Sequence, residues 1–230
     1  MKKLLSLSLA SLAFAAVADI TVGVTAISTT TKNTIVPVPY SKIGTSEEIA
    51  PKELVKAANL PTGTMLYVFN GTSYYAWEND GNGAWIVPDT VSTPVAGVNV
   101  SATVDSFTLN KGSALWVVLP DADNYSQTIY VYGNGASTAT TSTVSAGNCL
   151  VANPLQTAAS FTVDNAKSGD IITIPSDSGA PTLFRYNGTT WRTFGPGIAP
   201  ANASLSMAAG QGFWYSAQGN VTINWTEAQN

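Results

Sequence analysis

Apolar and polar positions alternate along this chain in short runs broken by Gly, Pro and Asn. Ile129 and Val131 alternate with Thr128, Tyr130 and Tyr132, and Val221, Ile223 and Trp225 share one side of the run Asn220 to Trp225. A period of two marks strands that pack one face. Asp19 to Ile27, Asn33 to Tyr40, Ala84 to Val87, Ala114 to Leu119 and Ile171 to Ile174 read the same way. Pro37 with Pro39, Pro88 and Pro120 stop three of these runs, because proline cannot donate into a ladder. One stretch breaks the pattern. Thr45 and Glu48 have capping-box spacing, Pro51 suits a first turn, and Leu54, Val55 and Ala58 form a stripe. These residues predict a helix from about 51 to 58.

Two aromatic stretches, Leu66 to Trp77 and Leu183 to Phe194, surround the pairs Asn70-Gly71 and Asn187-Gly188. Asn-Gly favours a tight type I′ hairpin, since both residues tolerate positive φ. Other landmarks recur in the same order. Asn148 to Leu155 echoes Asn33 to Tyr40, Leu205 to Tyr215 echoes Phe107 to Val117, and Asn220 to Trp225 echoes Gln127 to Tyr132. The sequence therefore predicts an all-β fold of two tandem, pseudo-symmetric antiparallel units, each a β-sandwich or partial barrel. One short helix belongs to the first. Residues 19–132 form the first domain and 148–230 the second. Residues 133–147 read as a Thr/Ser/Gly-rich linker or a weak strand. In this reading Asn70-Gly71 and Asn187-Gly188 set the register between units. Ile171 to Ile174 is an added strand, and an insertion lies between Trp85 and Val104.

Residues 1–18 change the picture of where the chain works. Met1-Lys2-Lys3 is a basic start, Leu4 to Ala15 is apolar or small, and Ala16-Val17-Ala18 fits a cleavage site. This predicts a signal peptide and a mature start near Asp19. The expected location is secreted or cell surface, with the periplasm as the alternative. Asp, Glu, Lys and Arg make up 10% of residues, well below the usual quarter or so, and the net charge is −4. Such a surface excludes a nucleic-acid partner, whose backbone needs clustered Lys and Arg. No later run is long and apolar enough for a transmembrane span.

The missing chemistry is informative. There is no histidine, which removes the usual general base and metal ligand. Cys149 is the single cysteine and sits in an apolar run, so burial is expected in place of a disulfide or zinc site. Glu78, Asp80, Asp89, Asp121, Asp123, Asp164, Asp170 and Asp177 lie mostly in turn sequences, where they cap local backbone. The expectation is a non-enzymatic protein with no cofactor and no metal.

A resemblance extends this reading. The segments Asn148-Cys-Leu-Val-Ala-Asn-Pro154, Leu183-Phe-Arg-Tyr-Asn-Gly-Thr-Thr-Trp191, Met207-Ala-Ala-Gly-Gln-Gly-Phe-Trp-Tyr215 and Val221-Thr-Ile-Asn-Trp225 occur in that order. The order resembles the β modules of large bacterial secreted and surface proteins. It covers Asn148 to Trp225 well and Asn33 to Tyr132 in degraded form. Gly147-Asn148-Cys149 stands where those modules usually carry Trp. The resemblance implies a β domain without a catalytic role. The functional expectation is an exported structural or surface-associated protein acting through protein contacts, self-association included. The alternative is a carbohydrate-binding protein using exposed hairpin residues. Tyr67, Tyr75, Trp77, Tyr186, Trp191 and Arg185 are the candidate binding or interface residues.

Overall fold

The computed structural model describes residues 22–29, 32–38, 48–69, 74–88, 108–110, 112–122, 126–134, 139–155, 157–175, 180–195 and 197–228. Residues 1–18, Thr45, Asn70-Gly71 and most of the expected insertion after Trp85 lie outside them. In the first unit β2 (Asn33–Pro37), β3 (Met65–Phe69), β4 (Tyr74–Asn79), β5 (Trp85–Ile86) and β6 (Ala114–Val118) form an antiparallel sheet. Its order is β2-β6-β3-β4-β5. The facing layer is β1 (Val22–Thr29) paired with β7 (Gln127–Asn134). Isolated bridges Val55↔Val131 and Ile49↔Leu109 extend that layer.

Between Ile49 and Val55 the chain makes α1 (Pro51–Leu54), followed by a 3-10 turn, Ala57–Asn59. Pro51 opens the helix, where a missing N–H leaves nothing unpaired. Val55 then turns extended (φ −117°, ψ 121°) to bridge Val131, so the helix is one turn long and stops short of 58.

In the second unit β8 (Ala139–Val144), β10 (Ala159–Asp164), β14 (Ser206–Met207) and β16 (Val221–Glu227) form a sheet of order β14-β10-β16-β8. The other layer holds β9 (Gly147–Ala152), β11 (Ile171–Ile174), β12 (Thr182–Tyr186), β13 (Trp191–Phe194) and β15 (Gly212–Ala217). Its order is β13-β12-β11-β15-β9. The fold is thus all-β, two tandem antiparallel units with a single short helix. The Thr-rich stretch at 139–144 is a strand.

The two units share one topology. β2, β6, β3, β4 and β5 stand where β9, β15, β11, β12 and β13 stand. Cross-strand pairs fix the register: Ile35↔Trp116 matches Leu150↔Trp214, and Leu66↔Val117 matches Ile172↔Tyr215. Leu66↔Trp77 then matches Ile172↔Phe184, and Asn79↔Trp85 matches Tyr186↔Trp191. In the facing layer the bridges of Ile49 and Val55 occupy the places of Ala159↔Met207 and Phe161↔Trp225. Helix α1 is therefore a four-residue excursion inside what is the continuous strand β10 of the second unit.

This register corrects the one expected from the Asn-Gly pairs. Asn187-Gly188 joins β12 to β13, and its counterpart is the turn Asp80–Ala84 between β4 and β5. β11 is the counterpart of β3, not an added strand. The true marks are Gly63 (φ 79°) and Gly169 (φ 100°), followed by the fully buried Thr64 and Asp170. Nor is Asn187 in a type I′ turn, since Asn165 is the one described non-glycine residue with positive φ. Instead Asn187 Oδ1 accepts the backbone N–H groups of Thr189 and Thr190, both at 2.9 Å, closing a four-residue turn. Asp80 Oδ1 does the same for Asn82 (2.7 Å) and Ala84 (3.0 Å). These charge-assisted bonds hold the Asp80 carboxyl below its usual range, Ala84 N–H contributing most.

Each sandwich closes on its own core. The first is built from Val36, Val38, Leu66, Val68, Leu115, Val117, Ile129 and Val131, with Leu54, Val55 and Leu60 from the helical segment and buried Trp77. The second contains Phe161, Trp191, Phe213, Tyr215 and Trp225 among Ile172, Val221 and Ile223.

Candidate contact surfaces

Strand register decides the fate of the predicted hairpin residues. In β3 and β4 the pairs Leu66↔Trp77 and Val68↔Tyr75 point into the core, and Tyr67↔Ala76 and Phe69↔Tyr74 point outward. Trp77 is buried and Tyr75 half-buried against the first core. Trp191 and Tyr186 pack together in the second core with ring centroids 5.4 Å apart. Tyr67, although on the outer face, is buried beside Ala76, Val118 and Trp116. An exposed platform of hairpin rings is therefore not what the fold presents. Among the six candidates Arg185 alone is exposed.

The outer faces of the two five-stranded sheets meet. Ile35, Ala114 and Trp116 of the first unit cluster with Leu150, Ala152 and Trp214 of the second. Trp214 also meets Phe69 and Tyr74 edge-on, at 6.1 and 6.4 Å between centroids. A backbone bond from Ala152 N–H to the Gly112 carbonyl (3.0 Å) and the bridge Ser113↔Val151 stitch the units together. The junction is pseudo-two-fold. Gly112 lies against Ser142, and its counterpart Gly210 lies against Ile27, which occupies in β1 the place of Ser142 in β8. Glycine is required at Gly112 on two grounds, since φ is 83° and any Cβ would overlap Ser142 Oγ.

Away from that junction the two outer faces differ. Arg185 and Arg192 sit directly opposite each other on β12–β13. Arg192 donates from an Nη to the Pro200 carbonyl at 3.2 Å, and its Nε is buried without a partner. The pair Leu183↔Phe194 lies two residues further along the same ladder, and Ile198, 53% exposed, folds back on Gly195 next to Phe194. The same positions on β4–β5 carry Glu78 and Ile86. Ile86 and Val87 are exposed.

On the far layer of the first unit, Tyr130 (40% exposed) and Tyr132 lie side by side on β7, centroids 6.5 Å apart. Val24 and Ala26 stand opposite them, both exposed. Asn59 Nδ2 donates to the Tyr132 hydroxyl at 3.1 Å. The equivalent face of the second unit is polar, with Asn224 and Thr226 against Thr141 and Ala139.

Asp80, Asp121, Asp164 and Asp170 each hold a hydrogen bond or ion pair within the fold, and Asp89, Asp123 and Asp177 lie outside the described residues. Asp170 is fully buried and accepts three bonds, from Tyr215 Oη (2.8 Å), Lys167 N–H (3.0 Å) and Gln218 N–H (2.7 Å). It caps the Lys167 turn as its sequence setting predicts, but from a fully buried position. Its signal was the Gly169-Asp170 step into an apolar run. Asp121 pairs with Lys32. Among the described residues no cluster of three His, Cys, Asp or Glu side chains could hold a metal. Cys149 is half-buried, its thiol directed at the Ser145 carbonyl (3.5 Å), and burial pushes the thiol up. No described helix is long and apolar enough to cross a membrane.

No family description, curated protein or solved structure matches this chain. What can be said of its class comes from the fold: an all-β, two-unit molecule whose surfaces suit contact with other proteins.

Proposed function

We propose that the chain is an exported, non-catalytic structural or surface protein that works through protein contacts, further copies of itself included. The observation that carries this reading is the pair of outer strands β1 and β8. Among the described residues no named strand pairs with the outer edge of either, Thr29 and Ala139 at their ends being the residues that bond elsewhere. Neither contains a charged residue or a proline. Proteins that stay apart usually protect such edges with Lys, Pro or a bulge, because an open ladder adds a strand from a neighbour. The low overall charge adds little repulsion between molecules. The leader-like start and the resemblance to β modules of bacterial secreted and surface proteins support export.

The form beginning at Asp19 is the one to purify. Light scattering and electron microscopy over a wide concentration range are expected to show concentration-dependent association. A uniform monomer with no particles at any concentration would sink the reading.

The Tyr130–Tyr132 pair favours a second reading, glycan binding, transferred from the hairpins to β7. Rings flanked by amides suit stacking on sugar faces. Glycan-array binding that disappears in Tyr130→Ala would support it, and a blank array would count against it.

A further inference from the structure

We propose that the outer face of β12–β13 in one copy receives the outer face of β4–β5 in the next, so that copies join head to tail. This rests on the protein-contact reading above but uses sheet faces, not the β1 and β8 edges. Three observations point to it. Arg185 and Arg192 are directly opposed across an antiparallel pair, an arrangement that costs stability unless an anion lies between or above them. No described carboxylate forms an ion pair with either, and the buried Arg192 Nε has no partner. At the structurally equivalent position of the first unit stands a carboxylate, Glu78, half-buried on the outer face and paired across strands with Ile86.

The two patches are complementary in apolar surface as well as charge. Exposed Ile86 lies across from Glu78 with exposed Val87 next in the chain, and the half-buried pair Leu183 and Phe194 lies two residues along the ladder from the arginines. A guanidinium fork suits a carboxylate better than an ammonium would, since it offers paired donors in a fixed plane. The contact does not form within one chain. There the outer faces meet around Trp116 and Trp214, with Trp214 against Tyr74 at the opposite end of β4 from Glu78. Because the two patches are unlike, their union is heterologous and leaves one of each free, which gives rings or filaments.

The test is sedimentation velocity on the Asp19 form, with circular dichroism to establish that each variant is folded. Arg185→Glu and Glu78→Arg are each expected to weaken association at least about tenfold. An equimolar mixture of the two folded variants is expected to recover it, because each then supplies the charge the other lacks. Raising salt to about 0.5 M should weaken the wild-type contact. Association unchanged in both variants would overturn the proposal and leave the protein-contact reading standing. A mixture that fails to recover would overturn it too. A wild-type chain that stays monomeric while its arginines bind polyglutamate would overturn it in favour of an acidic ligand. A monomer with neither behaviour would end both readings.

Discussion

The two units share a topology and fill it differently. In the first, the layer facing the five-stranded sheet is interrupted by α1, and Leu54, Val55 and Leu60 drop into an aliphatic core. In the second, β10 runs uninterrupted and the space is taken by rings. Phe161 stacks on Phe213 at 5.5 Å and 13°, and Phe161 also meets Trp225 at 4.7 Å. Val131 becomes Trp225 and Val117 becomes Tyr215 at equivalent positions. Large rings bring polar tips that aliphatic side chains lack, and each tip needs a partner inside. Trp225 Nε1 donates to Ser142 Oγ at 2.9 Å, and Tyr215 donates to Asp170. The lesson is that one backbone plan accepts either an inserted helical turn or an aromatic core. The aromatic choice commits the unit to a buried polar network.

That commitment can be broken first at its centre. Asp170→Ala removes one acceptor and strands a buried hydroxyl and two backbone N–H groups, so it should cost about 3–4 kcal/mol in denaturant unfolding. Its counterpart Thr64 makes a single side-chain bond, to the Pro61 carbonyl at 2.7 Å, and Thr64→Ala should cost about 1 kcal/mol. Equal losses would mean the two positions carry similar polar burdens, contrary to the contrast drawn between the cores.

Much of this difference was not legible in the chain. Alternation identified β7 and β16 with their buried faces, Ile129 and Val131 in one and Val221, Ile223 and Trp225 in the other, because one packed face imposes period two directly. The recurring Ala114–Val118 and Gly212–Ala217 strands were equally readable. The Asn-Gly pairs misled because a turn signal reports local backbone, not which strands it joins. Asn70-Gly71 follows β3 and Asn187-Gly188 follows β12, strands that are not counterparts. The Gly63 and Gly169 steps were the sounder guide, since each carries a positive φ imposed by the path into an equivalent strand. Among the candidate contact residues Arg185 is a charge inside an aromatic run, and that alone does not say what it replaces in the first unit. Its true counterpart, Glu78, gives the substitution more meaning. Tyr130 and Tyr132 were readable from alternation as sharing one side of β7, but setting Ala26 and exposed Val24 across from them needed the β1–β7 register.

A second break falls at the junction between the units. Ala114 and Gly212 are equivalent, yet a Cβ at Gly212 would overlap Ile35 Cγ2 and crowd the Val151 carbonyl at 3.2 Å. Ile35 is branched at Cβ and cannot swing aside by a simple rotation. Gly212→Ala should therefore cost about 1–3 kcal/mol. In an Ile35→Ala background the same change should cost less than about half as much, since the obstructing methyl is gone. A double-mutant cycle with no coupling would mean that the pseudo-two-fold contact of Ile35 and Gly212 is loose.

The smallest effect separates the cores by pH. Burial pushes the Tyr215 phenol up, and the bond to Asp170 and the Asp170 charge push the same way. Below about pH 10 the phenol is protonated whether the chain is folded or not, and its contribution to stability is complete. As pH rises above that value the unfolded chain releases the proton while folded Tyr215 keeps it, so stability falls with increasing pH. Tyr67 and Tyr74 are raised as well, chiefly by burial, so some alkaline sensitivity persists when Tyr215 is removed. Tyr215→Phe should lose about 1 kcal/mol at neutral pH from the missing hydrogen bond. It should also lower the slope of stability against pH above 10. Val117, the counterpart of Tyr215, has no ionisable group, so the part of that slope removed by Tyr215→Phe belongs to the second core. Denaturation midpoints at pH 9, 10 and 11 would measure it, and identical slopes for wild type and variant would show that the Tyr215–Asp170 contact does not hold the proton.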